Sequence, residues 1–218
     1  MVITIDGPSG VGKSSVTRAV ASACGYEALD TGAMYRAATL AVLQAGVAPE
    51  DTNAAIDVIE RSQIVYADGA ILLGGADVSA EVRGSEVTSA VSVIAAIPQV
   101  RLILVDLQRA WVSERDGEAV VEGRDIGTVV FPDAAVKIFL VARPEVRARR
   151  RAGDAEVSDL STHAIEHSLR RRDHLDSTRK ISPMLAADGA LTIDTSELSL
   201  SEVTEKVLAA VAVSVDPV

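Results

Sequence analysis

Eight residues near the N-terminus, Gly7-Pro8-Ser9-Gly10-Val11-Gly12-Lys13-Ser14, meet every fixed position of the pattern G-x-x-x-x-G-K-[ST]. The chemistry this spacing serves is the holding of a nucleoside triphosphate. Glycines let backbone N–H groups turn toward phosphate oxygens, and the start of the following helix adds the positive end of its dipole. Lys13 supplies a mobile point charge. Ser14 offers a hydroxyl to Mg²⁺, which neutralises the outer phosphates during transfer. Gly7, Pro8, Ser9, Gly10, Val11, Gly12, Lys13, Ser14 and the adjacent Ser15 are therefore expected to bind ATP, with Ser14 as the metal-facing residue. The N-K-x-D guanine motif of a GTPase is missing from the chain.

The second concentration of chemistry is positive charge. The 218-residue chain has a formal net charge of −10, which repels polyanions and argues against a non-specific nucleic-acid coat. Yet Arg143, Arg147, Arg149, Arg150, Arg151, Arg170, Arg171, Arg172, Arg179 and Lys180 supply much of its Lys and Arg within one stretch. That stretch has no Phe, Tyr or Trp to stack on bases, so a compact anionic ligand is expected rather than a nucleic-acid polymer. His163-Ala164-Ile165-Glu166-His167 matches H-x-x-E-H, but no third ligand accompanies it, and a solvated helix face is the expectation. Cys24, the single cysteine, is expected to be a buried structural thiol. No run of about 18 apolar residues spans a bilayer and the N-terminus lacks the form of a secretory signal, so a cytoplasmic protein without membrane contact is expected.

The elements that must position these groups follow from periodicity. Apolar runs at Val2–Asp6, Tyr26–Leu29, Ala119–Glu122, Val136–Val141 and Ala190–Asp194 alternate with helical patterns, which predicts an α/β fold with a five-stranded parallel sheet buried on both faces. Helices are expected at Lys13–Ala23, Ala33–Ala45 and Pro98–Arg115. A last one should begin near Ser199, where Ser199 and Glu202 have capping-box spacing. Between residues 64 and 78 three short runs are separated by Asp68-Gly69 and Gly74-Gly75, which predicts a small antiparallel insert. With no linker or repeat, the chain reads as one three-layer P-loop domain.

Three further segments sharpen the function. They are Leu29-Asp30-Thr31-Gly32-Ala33-Met34-Tyr35-Arg36, the run from Glu122-Gly123-Arg124-Asp125 to Pro132-Asp133, and Arg172-Asp173-x-x-Asp176-x-x-Arg179-x-x-Ser182-Pro183. With the P-loop, and from the first strand to Asp194-Thr195-Ser196, the chain resembles the bacterial cytidylate kinase family, including its hairpin insert. The resemblance implies ATP as donor with Mg²⁺, and CMP or dCMP as acceptor. It implies an acceptor-binding insert over about residues 63–100 and an arginine-rich lid over about 143–159, with Arg147 and Arg151 on ATP. Acceptor residues would be Thr31, Tyr35, Arg36, Ser92, Arg101, Arg124, Asp125, Arg172, Asp176 and Arg179. Within that set Arg36, Arg124 and Arg179 face phosphate, Asp125, Arg101 and Ser92 read cytosine, and Arg172 and Asp176 hold the ribose. Since ligands gather at the carboxyl ends of parallel strands, these segments are expected to converge on one cleft.

The acceptor phosphate is already largely ionised at pH 7, because its second pKa is near 6. No general base is needed, and Lys13, Arg124 and Arg179 are the expected catalytic groups, acting by positioning and charge stabilisation. A monomer is expected. Two alternatives stay open on the residues alone: another P-loop small-molecule kinase, and a nucleotide-binding regulatory module without transfer. The residue-level rivals also stand, with Arg101 on the solvated face of the Pro98 helix, Ser92 as a packing residue and Asp176 as a surface partner of Arg172.

Overall fold

The computed structural model describes residues 1–153 and 161–215. In chain order the elements are β1 (Val2–Asp6), α1 (Lys13–Cys24), β2 (Glu27–Asp30), α2 (Thr31–Gln44), α3 (Thr52–Arg61), β3 (Ile64–Ala67), β4 (Ala70–Leu73), β5 (Ala76–Asp77), α4 (Ser85–Ile94), α5 (Pro98–Ser113), β6 (Ala119–Gly123), β7 (Val136–Val141), α6 (Pro144–Ala152), α7 (Thr162–Ser177), β8 (Leu191–Asp194) and α8 (Leu200–Val215). They form two compact units. One joins Met1–Leu29 to the chain from Glu114 onward, and the other is Asp30–Ser113.

The first unit is built on a five-stranded sheet of order β2-β6-β1-β7-β8, with parallel ladders between β1 and β6, β1 and β7, and β7 and β8. β1 and β6 are buried almost throughout, as continuous apolar runs require of central strands. β8 is not, because it lies at the sheet edge and turns only Ile193 inward. The core packs Ile3, Ile5, Val120, Ile138 and Leu140 of the sheet against Val16 and Val20 of α1 and Val203 and Val207 of α8. Cys24 is only half-buried, at the margin of this core, and burial still raises its thiol pKa. The box at the start of α8 forms as spaced: the Ser199 amide donates to Glu202 Oε2 at 2.8 Å and the Glu202 amide to Ser199 Oγ at 3.3 Å.

The second unit packs helices around a three-stranded antiparallel sheet, β3-β4-β5. Asp68 and Gly69 both have positive φ, as do Gly74 and Gly75, so each dipeptide makes the tight turn expected of it. α5 ends at Ser113, two residues short of the sequence reading. Trp111 on its last turn donates its indole N–H to the Tyr66 carbonyl at 2.8 Å, and the two rings meet edge-on, which ties α5 to the hairpin.

Strand register decides what stands beside the P-loop. Asp6 pairs with Gly123 on one side and Phe139 on the other, so Gly7 emerges beside Arg124 and Leu140. Gly7 has φ 144°, and a Cβ there would lie 2.2 Å from the Leu140 carbonyl oxygen, a main-chain atom that cannot swing away. Gly7→Ala is expected to destabilise the fold by about 3 kcal/mol, through overpacking and backbone strain together. Urea unfolding checks this as a lowered midpoint at unchanged slope. A shift equivalent to less than about 0.5 kcal/mol is the contrary result.

Candidate active site

A loop that turns its N–H groups toward a ligand must find donors for its carbonyls elsewhere. Here the donors are mostly cationic. Arg124 Nη1 donates to Gly7 O at 2.9 Å, Lys13 Nζ to Pro8 O at 2.9 Å and Arg147 Nε to Ser9 O at 2.7 Å. Val11 O accepts from Thr195 Oγ1 at 2.9 Å and from Arg150 Nη1 at 3.3 Å, and Gly12 O takes the Val16 amide of α1. Gly10 and Gly12 sit at φ 81° and 94°, where a β-carbon is strained. Lys13 is buried, Ser14 is half-buried at the first turn of α1, and Ser15 is exposed.

The arginine helix α6 thus donates to the loop's carbonyls. Arg147, expected on ATP, is buried and divides its guanidinium between Ser9 O and Asp173 Oδ2, the latter at 2.5 Å. Arg150, expected only as part of the cationic stretch, also donates to Thr195 Oγ1 and Thr195 O at 3.0 and 2.7 Å. Thr195 is held in place because the β7–β8 ladder continues into a bond from its amide to Val141 O at 2.8 Å. Arg151 is half-buried, its side chain against the Gly10 turn. Residues 154–159 of the expected lid lie outside the described residues. His163 and His167 are exposed on α7, where Glu166 accepts from Arg170 at 2.6 Å.

At the end of β6 the charges are ordered around one buried carboxylate. Asp176 of α7 takes Arg124 Nε on Oδ2 at 2.9 Å and Arg179 Nη2 on Oδ1 at 3.1 Å. It is therefore no surface residue: buried, it aligns the two arginines expected to face the acceptor phosphate. Burial pushes its pKa up, but the charges of Arg124, Arg179 and the half-buried Arg172 prevail and hold it below 3.8. Asp125 is buried and opens a single π-turn, Ile126–Val130, its carbonyl accepting from the Val129 and Val130 amides. Asp6, at the end of β1, accepts from the Ile126 amide on Oδ1 at 2.9 Å and from the Gly127 amide on Oδ2 at 2.8 Å. Desolvation raises Asp6 to about 6, against the pull of those two amides and of Lys13, while Asp125 pushes the same way as burial.

The remaining residues expected at the acceptor belong to the second unit. Asp30 caps α2 by accepting the Ala33 amide, which fixes Thr31, Tyr35 and Arg36 on the first turns. Arg36 Nη1 donates to Val82 O at 3.0 Å and Thr88 Oγ1 at 2.8 Å. Arg101 is no solvated helix residue: it is 4% exposed, lies over the Tyr35 ring at 5.4 Å and donates to Ala95 O at 3.2 Å. A guanidinium sunk against an aromatic face and a helix-end carbonyl is held in one orientation. Ser92 of α4 is half-buried.

The lowered pKa of Asp176 has a pH consequence. The native state binds its proton less tightly than the unfolded chain, so its contribution is complete above about 3.8 and is lost as pH falls through the native value. Asp176→Asn is expected to cost about 3 kcal/mol at pH 7, as for a broken buried ion pair. Denaturant titrations should show the gap to the parent constant from pH 7 to 5 and shrinking below 4. A gap independent of pH would contradict the pairing.

Comparisons with known proteins identify the family. Residues 3–213 match the family model described as cytidylate kinase. A protein of Mycobacterium leprae (strain Br4923) called cytidylate kinase is 53% identical over 206 residues, covering 93% of this chain and 92% of its own. Another so named, from Streptomyces avermitilis, is 44% identical over 212 residues, covering 95% and 91%. Among solved structures, a gluconokinase from Sinorhizobium meliloti 1021 superposes with a TM-score of 0.51 at 16% identity, covering 97% of this chain and 91% of its own, a likeness of fold alone. On the match over nearly its whole length and on these identities, the chain belongs to the cytidylate kinase family.

Proposed function

We propose that this enzyme transfers the γ-phosphoryl group of ATP to CMP or dCMP, giving ADP and CDP or dCDP. The observation that carries the reading is the register of β1 with β6, which sets the P-loop directly beside Arg124 and Asp125. Arg124 and Arg179, aligned by Asp176, present guanidinium forks suited to a phosphate. Asp125 accepts from the cytosine amine, Arg101 and Ser92 complete base recognition, Arg36 and Tyr35 face the acceptor with Thr31, and Arg172 assists at the ribose. Lys13 exchanges its bond to Pro8 O for the outer phosphates.

The residues fit Mg²⁺ that arrives with the nucleotide. Ser14 offers a hard hydroxyl oxygen on the first turn of α1, and among the described residues no group of three His, Cys, Asp or Glu forms a cage of its own. When bound, the ion neutralises charge on the outer phosphates. Arg147 and Arg151 reach ATP from α6, and residues 143–159 act as lid with 63–100 as acceptor-binding insert. The enzyme acts as a monomer on free nucleotides in the cytoplasm.

Two outcomes test the reading. In a coupled assay of ADP release, CMP and dCMP are expected to exceed AMP and UMP at equal concentration. Turnover no greater than without acceptor would reject it, and ATP binding without transfer would favour a regulatory module. Arg101→Ala is expected to lower kcat/KM for CMP about 10–100-fold and to leave ATP affinity within about threefold, as loss of a buried charged contact implies. Equal losses for CMP and UMP would remove Arg101 from base reading.

A further inference from the structure

β1 and β6 stop pairing at Asp6 and Gly123, yet the chains beyond remain tied in both directions. From the β1 side, the Asp6 carboxylate holds the Ile126 and Gly127 amides, one on each oxygen. From the β6 side, Arg124 holds the Gly7 carbonyl. The crossed ties close a ring through Asp6, Gly7, Arg124 and Ile126.

The structure gives up apolar burial to make this ring. Asp6 is 3% exposed at a strand end, where Ile3 and Ile5 of the same strand are wholly buried hydrophobes. A carboxylate there is costly unless its oxygens are satisfied, and both are. Gly127 permits the approach. A Cβ at that position would lie 2.9 Å from Thr4 Oγ1 and 3.5 Å from Asp6 Oδ2, so a larger residue would push the turn away from β1.

We propose that Asp6 is a positioning residue for phosphoryl transfer: by gripping the turn after Asp125 it fixes where Arg124 stands relative to the P-loop. The inference rests on the kinase reading above. Arg124 is tied at its two ends to Gly7 O and to Asp176, so its backbone must be fixed as well if the fork is to meet a phosphoryl group in transit. Asp6 makes that backbone tie, with one carboxylate oxygen on each of the two amides. A displacement near 1 Å at such a site costs on the order of 10²-fold in rate.

The test compares Asp6→Asn, Arg124→Ala and the double variant, each verified as folded by circular dichroism. Asp6→Asn keeps one acceptor and turns an amide NH₂ on the other N–H. It is expected to lower kcat with CMP about 10–100-fold and to leave ATP binding, read with a fluorescent analogue, within about threefold. In the Arg124→Ala background the same change should add less than about twofold, since it acts through that arginine. An unchanged kcat, or an equal loss with and without Arg124, would overturn the proposal. If Asp6→Asn does not fold, Gly127→Ala displaces the same turn with the carboxylate intact, and the same non-additivity with Arg124→Ala decides. Amide hydrogen exchange separates failure of the latch from failure of the kinase reading. The Ile126 and Gly127 amides should exchange at least tenfold faster in Asp6→Asn whatever the substrate, and unchanged exchange would overturn the latch. Absence of CMP-dependent turnover in the parent protein would instead reject the kinase reading.

Discussion

The arrangement depends on where the P-loop's carbonyls go. A phosphate-binding loop presents backbone N–H groups to its ligand, and the opposite sides of the same peptide units are then left to the protein. Four of them are taken by the side chains of Arg124, Lys13, Arg147, and Thr195 with Arg150. Hydrogen bonds from charged donors are worth about 1.5–3 kcal/mol each, roughly twice the neutral kind. A glycine-rich segment that would otherwise be the most mobile backbone of the unit is therefore pinned before any nucleotide arrives. Such preorganisation lowers the cost of ordering on binding.

Pinning the loop with arginines explains an oddity of composition. An acidic chain gathers ten of its 21 Lys and Arg between Arg143 and Lys180, and a simple electrostatic reading assigns those ten to the anionic ligand. Arg147 and Arg150 instead serve the loop first, and Arg124 serves both loop and site. Asp176 and Asp173 keep the guanidiniums aligned, so the positive charge is a braced network rather than a diffuse patch. The buried pairs are costly to desolvate, and what they supply is geometry more than net stability.

Much of the fold was legible because its signals are local. The P-loop spelling, the turn dipeptides Asp68-Gly69 and Gly74-Gly75, and the Ser199–Glu202 box all act within a few residues and appear where their chemistry requires. The misses are non-local. The roles of Asp6 and Thr195 depend on bonds spanning 120 and 184 positions, created by strand register rather than by any pattern in sequence. The exposure of β8 follows from its edge position, which strand order decides. Arg101 was ambiguous for a related reason: helical spacing alone does not tell a buried guanidinium over Tyr35 from a solvated one. Thr31, Tyr35, Arg36, Ser92 and Asp125 are assigned to the acceptor through the family resemblance, and they lie at the ends of strands or on the helices that follow.

On binding the donor phosphates the P-loop keeps the braces from Arg124 and Thr195, and Lys13 alone changes partner. A crystal structure with a non-hydrolysable ATP analogue, Mg²⁺ and CMP tests it most directly. The outer phosphates should lie about 3 Å from backbone nitrogens between Gly10 and Ser14, with the bonds of Gly7 O to Arg124 and Val11 O to Thr195 retained. Phosphates bound elsewhere, or a loop that breaks both bonds to admit them, would show that the braces do not preorganise the loop.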